Sequence, residues 1–468
     1  MVHKNQAREM VRIQLIVRLL LICSATCFFV SRLNAAGPYR IATFSADVTI
    51  PVGHRCMGVL PTKSKAISDP LFAHGFVLLG DQEPIVLCAV DWCEIRNAAY
   101  DQWRETLARA AGTSRERVLV SSLHQHDAPV IDQTAGKLLA QVGLAGELYD
   151  EGFHNRTLSV LATTVSECLA KAQPITHVGT GQAKVKNIAS NRRVVDAEGR
   201  VSYARGSRSG GNPFYRDAPE GRIDPYLKTL SFWNNEKPVL AVHAYATHPM
   251  SRYGKGQVSS DFVGLARQRR QLDEPNIKQI YLSGCSGDVT AGKFNDGSDS
   301  HRKGLIDRLY TAMVKAWETT ERIPLENVEF RNAKLQLRFH PGPHLAKQKL
   351  RATLDDQKQA VEKRILAAMG LASRLRVESG QGIDLPCIDF GNAQLLLFPG
   401  ETFVAYQLFA QKLRADSFVM SAGYGECWPG YIPTDDTFDE KFEDNWLWVA
   451  PGSEQRIHTA LYEVLNEP

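Results

Sequence analysis

Beyond residue 40 the chain is built from short unbroken apolar runs and from longer stretches in which apolar positions recur every three or four residues. These are the signatures of buried strands and of one-sided helices. Apolar runs at 76–79, 85–90 and 117–123 flank a helical period at 98–111, so the first block reads strand, loop, strand, strand, helix, strand. A helix is expected at 155–172. A polar stretch containing Gly206, Gly210, Gly211 and Pro213 follows and reads as a long surface loop, a kind of segment that often carries function. The second block repeats the alternation, with strands expected at 239–246 and 277–282 and helices at 262–272 and 303–317. Residues 342–378 have a helical period but are crowded with Lys, Arg, Gln and Ala, which predicts a solvated helix. The last block holds a strand at 393–398, a helix from about 402, a strand at 417–421 and a final helix ending near Leu465. No repeat and no Pro, Gly or Ser linker interrupts the sequence, so residues 37–468 are expected to form one α/β domain with mixed sheets.

Composition changes this picture only at the start of the chain. With 468 residues, 44% of them apolar, there is enough sequence for one large core or two medium ones. The formal charge of +4 is carried by the first 36 residues, where Lys4, Arg8, Arg12, Arg18 and Arg32 stand against Glu9. The remainder is near neutral and has no Lys/Arg block, so it offers no electrostatic footprint for nucleic acid or for an anionic membrane surface. The same 36 residues join the basic start to an apolar run from Leu19 to Val30 and then to Leu33, Asn34, Ala35 and Ala36, the order of an export signal. That run is shorter than the roughly 20 residues of a membrane span. Export to a periplasmic or extracellular location is expected, with residues 1–36 either cleaved or kept as an N-terminal anchor, and no further membrane segment. Past this point the cysteines are Cys56, Cys88, Cys93, Cys168, Cys285, Cys387 and Cys427, without a close CxxC pair. One disulfide is possible, but a dense framework and a zinc ribbon are not expected.

The polar residues that follow apolar runs carry the chemistry. Ser121-Ser122-Leu123-His124-Gln125-His126-Asp127 lies where a strand runs out, and in an extended chain His124 and His126 would point to one side about 7 Å apart. A second cluster follows the strand at 239–246: His243 inside the run reads as a core histidine, and His248, before Pro249, reads as a ligand. Zinc accepts imidazole nitrogen and carboxylate oxygen, and a catalytic site uses about three such ligands with one position left for water. Two histidines therefore call for an oxygen donor. Glu401, in Leu397-Phe398-Pro399-Gly400-Glu401, sits where a strand turns into a helix, and the helix dipole alone would account for a carboxylate there. Tyr431 ends the Gly-rich segment that starts at Gly423, and an ordinary half-buried tyrosine would account for it. Gly284-Cys285-Ser286-Gly287-Asp288-Val289-Thr290 is a Gly-rich turn after a strand, yet it lacks the GK[ST] ending of a phosphate loop and the spacing of a nucleophile elbow.

Taken in order, these segments resemble the neutral, non-lysosomal ceramidase family over nearly the whole chain past the signal. Ala46-Asp47-Val48-Thr49 is similar to its opening segment, Asp69-Pro70-Leu71-Phe72-Ala73 to a later one, and Asn191-Arg192-Arg193 to its arginine segment. The resemblance implies an α/β zinc hydrolase domain in which His124, His248, Glu401 and Tyr431 hold one Zn²⁺. His126 would work on the substrate and Arg192 would face the scissile group. It also implies departures: Thr290 stands at the family's serine position, Phe442 at a second tyrosine, Asp127 at a serine, and the chain ends before the family's C-terminal immunoglobulin-like domain.

The implied activity is hydrolysis of an amide (N-acyl) bond by metal-activated water. Arg192 and His126 would stabilise the oxyanion, His126 would serve the leaving amine, and Thr290 would be a polar group of undecided role. The expected partner is a small-molecule or lipid substrate with an acyl bond. The same site would also serve an esterase or a non-lipid amidase, and a secreted binding protein that kept the fold without turnover is the non-enzymatic alternative. N/O ligands follow the general affinity order and do not select zinc by themselves.

Overall fold

The computed structural model describes residues 39–465, so the expected export segment lies outside the described residues. From Tyr39 onward the chain forms one compact unit. Three sheets dominate it. The first runs, edge to edge, through Val118–Ser122, Ile85–Val90, Phe72–Leu79, Arg40–Asp47 and Gln173–Pro174. The second runs through Lys278–Ser283, Lys237–Tyr245, Tyr226–Asn234, His177–Lys184 and Glu321–Pro324. The third runs through Glu329–Leu335, Ile383–Asp389, Ala393–Leu397 and Phe418–Ala422.

Each sheet is antiparallel except for one parallel pair at an edge: Ile85–Val90 with Val118–Ser122, Lys237–Tyr245 with Lys278–Ser283, and Ala393–Leu397 with Phe418–Ala422. Parallel neighbours need a crossover, and each pair has its own helix: Asn97–Ala111, Asp261–Asp273 and Val404–Leu413 respectively. The molecule thus contains three strand–helix–strand units, one per sheet. Their C-terminal strand ends meet. The Ser122 amide donates to the Tyr424 carbonyl at 2.9 Å and the Gly423 amide to the Ser283 carbonyl at 2.8 Å. Ser121 Oγ donates to the Gly423 carbonyl and Ser283 Oγ to the Leu123 carbonyl, at 2.9 and 2.8 Å.

The inner faces of the three sheets share one apolar cluster, with Phe76, Leu87 and Leu119 from the first, Phe232, Leu240 and Ile280 from the second, and Leu395 and Met420 from the third. Phe76 and Phe232 join the first two sheets with ring centroids 5.6 Å apart. Helices cover the outer faces. Among the described residues no helix is long and apolar enough to cross a membrane.

The expected elements are found with end shifts of a few residues, and one reading is corrected. Residues 342–378 are not one solvated helix but two helices, Lys347–Asp355 and Val361–Glu378, and the second buries Ile365, Ala368, Met369, Leu371 and Ala372 in the core. Its charged positions misled because Arg376 is itself nearly buried, in a 2.7 Å ion pair with Asp101. The seven cysteines among the described residues are all free and buried.

Candidate metal centre at the strand ends

Every sequence-predicted ligand lies just past one of the six parallel strands. His124 follows Val118–Ser122, His248 follows Lys237–Tyr245, Glu401 follows Ala393–Leu397, and Tyr431 lies beyond Phe418–Ala422. Open α/β sheets build sites at the carboxyl ends of such strands, and here three sheets do so at one point. His124 adopts a left-handed backbone, φ 67°, so the chain turns there and does not continue the extended geometry assumed for His124 and His126. The turn still brings the two rings to 5.3 Å, at 90° to one another. Glu401 and Tyr431 lie opposite each other in a short parallel pairing. That pairing needs close backbone approach: Gly400 has φ 48°, and a Cβ on it would meet the Gly430 carbonyl at 2.7 Å. The Gly-rich turn at 284–287 serves the same end, since a Cβ on Gly287 would sit 2.1 Å from the Glu401 carbonyl oxygen. Its glycine is there for close approach.

At the centre, one oxygen of Glu401 lies 3.3 Å from His124 Nε2 and 3.0 Å from His248 Nε2, and all three side chains are buried. The other ring nitrogens are oriented by the backbone: His124 Nδ1 faces the Cys93 carbonyl at 3.2 Å and His248 Nδ1 the Ser286 carbonyl at 2.5 Å. A carbonyl can only accept, so each Nδ1 carries the proton and each Nε2 lone pair is turned toward the carboxylate. Two lone pairs aimed at an anion in a buried site fit a cation between them. Nitrogens of His124, His126 and His248 lie within 4.8 Å of one another, as do ligand atoms of Glu94, His124 and Glu401. This donor set of imidazole and carboxylate suits zinc.

Burial and the mutual contact of these groups set their charges. Glu401 is held well below the usual carboxylate range because, against burial, both histidines favour its charge. His124 is raised despite burial by the Glu401 carboxylate. Burial, then the neighbouring His124 and His248, pushes His126 well below its ordinary value, so its ring is neutral. Neither ring nitrogen of His126 has a partner. Arg192 has its guanidinium 5.5 Å from the Tyr431 ring centre, and its Nε has no partner. Burial opposes its charge, but Tyr431, Glu401 and Asp444 outweigh that and keep it cationic.

Against solved structures, the chain is similar to a ceramidase complexed with C2, with a TM-score of 0.65 and 16% identity over 92% of this chain and 75% of that one. Neutral ceramidase from Pseudomonas aeruginosa gives a TM-score of 0.64 and 16% identity over 92% and 74%. The fold is that of the neutral ceramidases. No family model matches the chain, and neither does any curated protein.

Within this ceramidase fold the remaining predicted residues take distinct places. Thr290 is buried, pairs with Ser190 and bridges to His248 through its backbone, while its hydroxyl accepts the Gly292 amide at 3.2 Å, inside its own turn. Phe442 packs edge-on against the Tyr431 ring at 5.7 Å. Asp127 faces away, accepting the Gly254 amide at 2.9 Å. His243, read as a core histidine, is one: Thr229 and Gln279 hold its two nitrogens at 2.8 and 2.9 Å.

Three residues escaped the sequence reading. Glu94, in the short strand Glu94–Arg96, lies 3.8 Å from His124 Nδ1 and is itself paired to Arg96 at 2.7 Å. Tyr424 stacks on His124 with centroids 4.2 Å apart and bonds Ser286 Oγ at 2.7 Å. Ser286 supplies the carbonyl that orients His248. All three follow parallel strands, and a search of every strand end for polar residues would have found them.

Proposed function

We propose that the protein is an exported, zinc-dependent hydrolase of amide (N-acyl) bonds, with His124, His248, Glu401 and Tyr431 as the ligands of one Zn²⁺. The convergence of two imidazole Nε2 atoms on one buried carboxylate oxygen carries this reading. The ceramidase fold supports it, and the basic, then apolar, start of the chain supports export. A zinc ion bound there supplies Lewis acidity, which polarises a carbonyl and makes water a better nucleophile.

The chain's own residues do the rest. Arg192, cationic and without a carboxylate partner among the described residues, is placed to donate to the oxyanion that develops as the carbonyl carbon becomes tetrahedral; such donors are worth about 3 to 4 kcal/mol when preorganised. His126, neutral and unpartnered, is the group free to carry a proton to the leaving nitrogen. The backbone carbonyls of Cys93 and Ser286 fix the ring orientations, and the Glu94 carboxylate places a negative charge 3.8 Å from His124 Nδ1. Thr290, engaged in its own turn, is a structural neighbour of the site. Turnover of N-acyl amides by the zinc-loaded protein tests the proposal. Retained zinc with no turnover of any amide would overturn the activity, and ester turnover alone would move it to the esterase reading.

A further inference from the structure

The strand-end cluster is buried, so an acyl substrate has to reach it where side chains meet solvent. A cavity of about 680 Å³, walled by segments 340–344 and 438–451, adjoins the cluster through Phe442, which packs on the Tyr431 ring, but none of the cluster's own side chains lines that cavity. Of the rings and the carboxylate at the centre, and Arg192 and Tyr253 packed on them, only the last two are part exposed. Tyr253 packs on His126 with ring centroids 5.0 Å apart, and the two ring nitrogens of His126 have no partner. The approach to the scissile bond therefore runs beside Tyr253, on the side of the group that serves the leaving nitrogen.

The guanidinium of Arg208 lies over the Tyr253 ring, 4.7 Å from its centre. Arg208 is exposed and has no carboxylate partner among the described residues, whereas Arg252, next to Tyr253, is paired with Asp299. The place of Arg208 is built by its surroundings. Gly297, with φ 87°, leaves the notch that its stem occupies: a Cβ there would sit 2.6 Å from Arg208 Cδ. Asn295, fully buried, donates from its side-chain amide to the Ser207 carbonyl at 2.7 Å and to the Ser251 carbonyl at 2.8 Å, and so ties the Arg208 segment to the Tyr253 segment. On the other flank the buried Asp127 accepts the Gly254 amide at 2.9 Å. An arginine with its charge unanswered, held on an aromatic ring, presents a fork that matches a carboxylate with two parallel hydrogen bonds.

We propose that Tyr253 and Arg208 select the substrate, and that the amine half of the scissile amide carries a carboxylate: the substrate is an N-acyl amino acid. The inference rests on the amidase reading and adds the substrate class to it. His126 is the group that serves the leaving nitrogen, so what lies beyond that nitrogen lies toward Tyr253 and Arg208. In the reaction the carbonyl C–N bond breaks, a C–O bond forms from water, and the nitrogen takes up both protons of that water. An N-acyl amino acid and water thus give a carboxylate and a zwitterionic amino acid. Arg208 pairs with the same carboxylate before and after the bond breaks, so it serves binding and discrimination and not the bond-breaking step.

Calorimetric titration of the purified full chain, with and without zinc, tests recognition apart from turnover. The probes are N-octanoylglycine and N-octanoylethanolamine, which share the acyl chain and end in a carboxylate or a hydroxyl. The acylglycine should bind about tenfold more tightly or better, less so at high salt, and Arg208→Gln should remove most of that preference. Arg208 is exposed, so its replacement leaves the fold intact. Tyr253→Phe should keep the preference, and Tyr253→Ala should reduce it by about threefold or more. In the zinc-loaded protein, Arg208→Gln should lower kcat/KM on the acylglycine about tenfold more than on the acylethanolamine, with the difference residing in KM. Equal binding of the two probes, a preference that survives Arg208→Gln, or no binding of either probe in both forms would overturn the proposal. Preferential binding of the acylglycine without turnover of any amide would leave the recognition in place and overturn the amidase reading alone.

Discussion

The strand-end cluster and the adjoining cavity are built from opposite principles. In the cluster, two histidines and Glu401 are buried and each ring is oriented by a backbone carbonyl, so the geometry is fixed before anything binds. In the cavity, Lys441, Glu443, Asp444 and Asn445 are exposed and lie on irregular chain between the short helix Asp435–Asp439 and the helix Ser453–Leu465. The difference teaches that three strand–helix–strand units converge to build the cluster, while the cavity is walled by irregular chain outside those units. A metal centre needs its donor atoms held close to their final positions, and the strand-end cluster is built that way.

The largest effect expected from breaking the cluster comes from Glu401→Ala, which removes the oxygen shared by both histidines. Zinc occupancy should fall below about a tenth per chain, with loss of turnover, as read by metal analysis of the purified protein. Arg192→Ala should leave the metal in place and lower kcat by about 100- to 1000-fold, which steady-state kinetics on an N-acyl amide would measure. Glu94→Gln keeps the volume of the side chain but removes the charge behind His124. Zinc affinity should drop by about 10- to 100-fold in a chelator competition.

A fourth prediction contrasts the two histidines on either side of one strand end. Burial lowers His243 to about 4, so the folded state keeps it neutral while the unfolded chain protonates it below its ordinary 6.5. Its contribution to stability is full above pH 6.5 and is lost as the pH falls toward 4, about 2 kcal/mol between pH 7 and 5. Urea unfolding at the two pH values should therefore be flatter by about that amount in His243→Gln than in the unaltered protein. The smallest effect belongs to Thr290→Val, which deletes only the acceptor for the Gly292 amide. It should cost about 1 kcal/mol in urea unfolding and change kcat by less than about twofold, because the hydroxyl is held in its own turn. A large loss of kcat at full stability would make Thr290 part of the chemistry.

The parts legible in the sequence are those where local pattern and function coincide. An apolar run that ends in His124, or in His248 before a proline, marks both the strand and a member of the buried cluster, and His243 inside its run marked a core residue for the same reason. Glu401 and Tyr431 came through family resemblance, because a carboxylate after a strand is equally explained by a helix dipole. Glu94 and Tyr424 also stand just past strand ends, but that they meet at His124 depends on the sheets converging, which no local window contains. The helix Val361–Glu378 was misread because its buried face dilutes Ile365, Met369 and Leu371 with the small residues Ala367, Ala368, Gly370 and Ala372, and its buried Arg364 and Arg376 find partners elsewhere in the chain. Small residues give a weak apolar stripe, and charged ones look solvated until their partners are known.

The most direct test is the metal content of the purified protein, measured beside His124→Ala and Glu401→Ala. About one zinc per chain, lost in both variants, is the predicted result. Protein that holds no metal even after incubation with zinc would contradict the central claim and leave the three-sheet fold without its proposed chemistry.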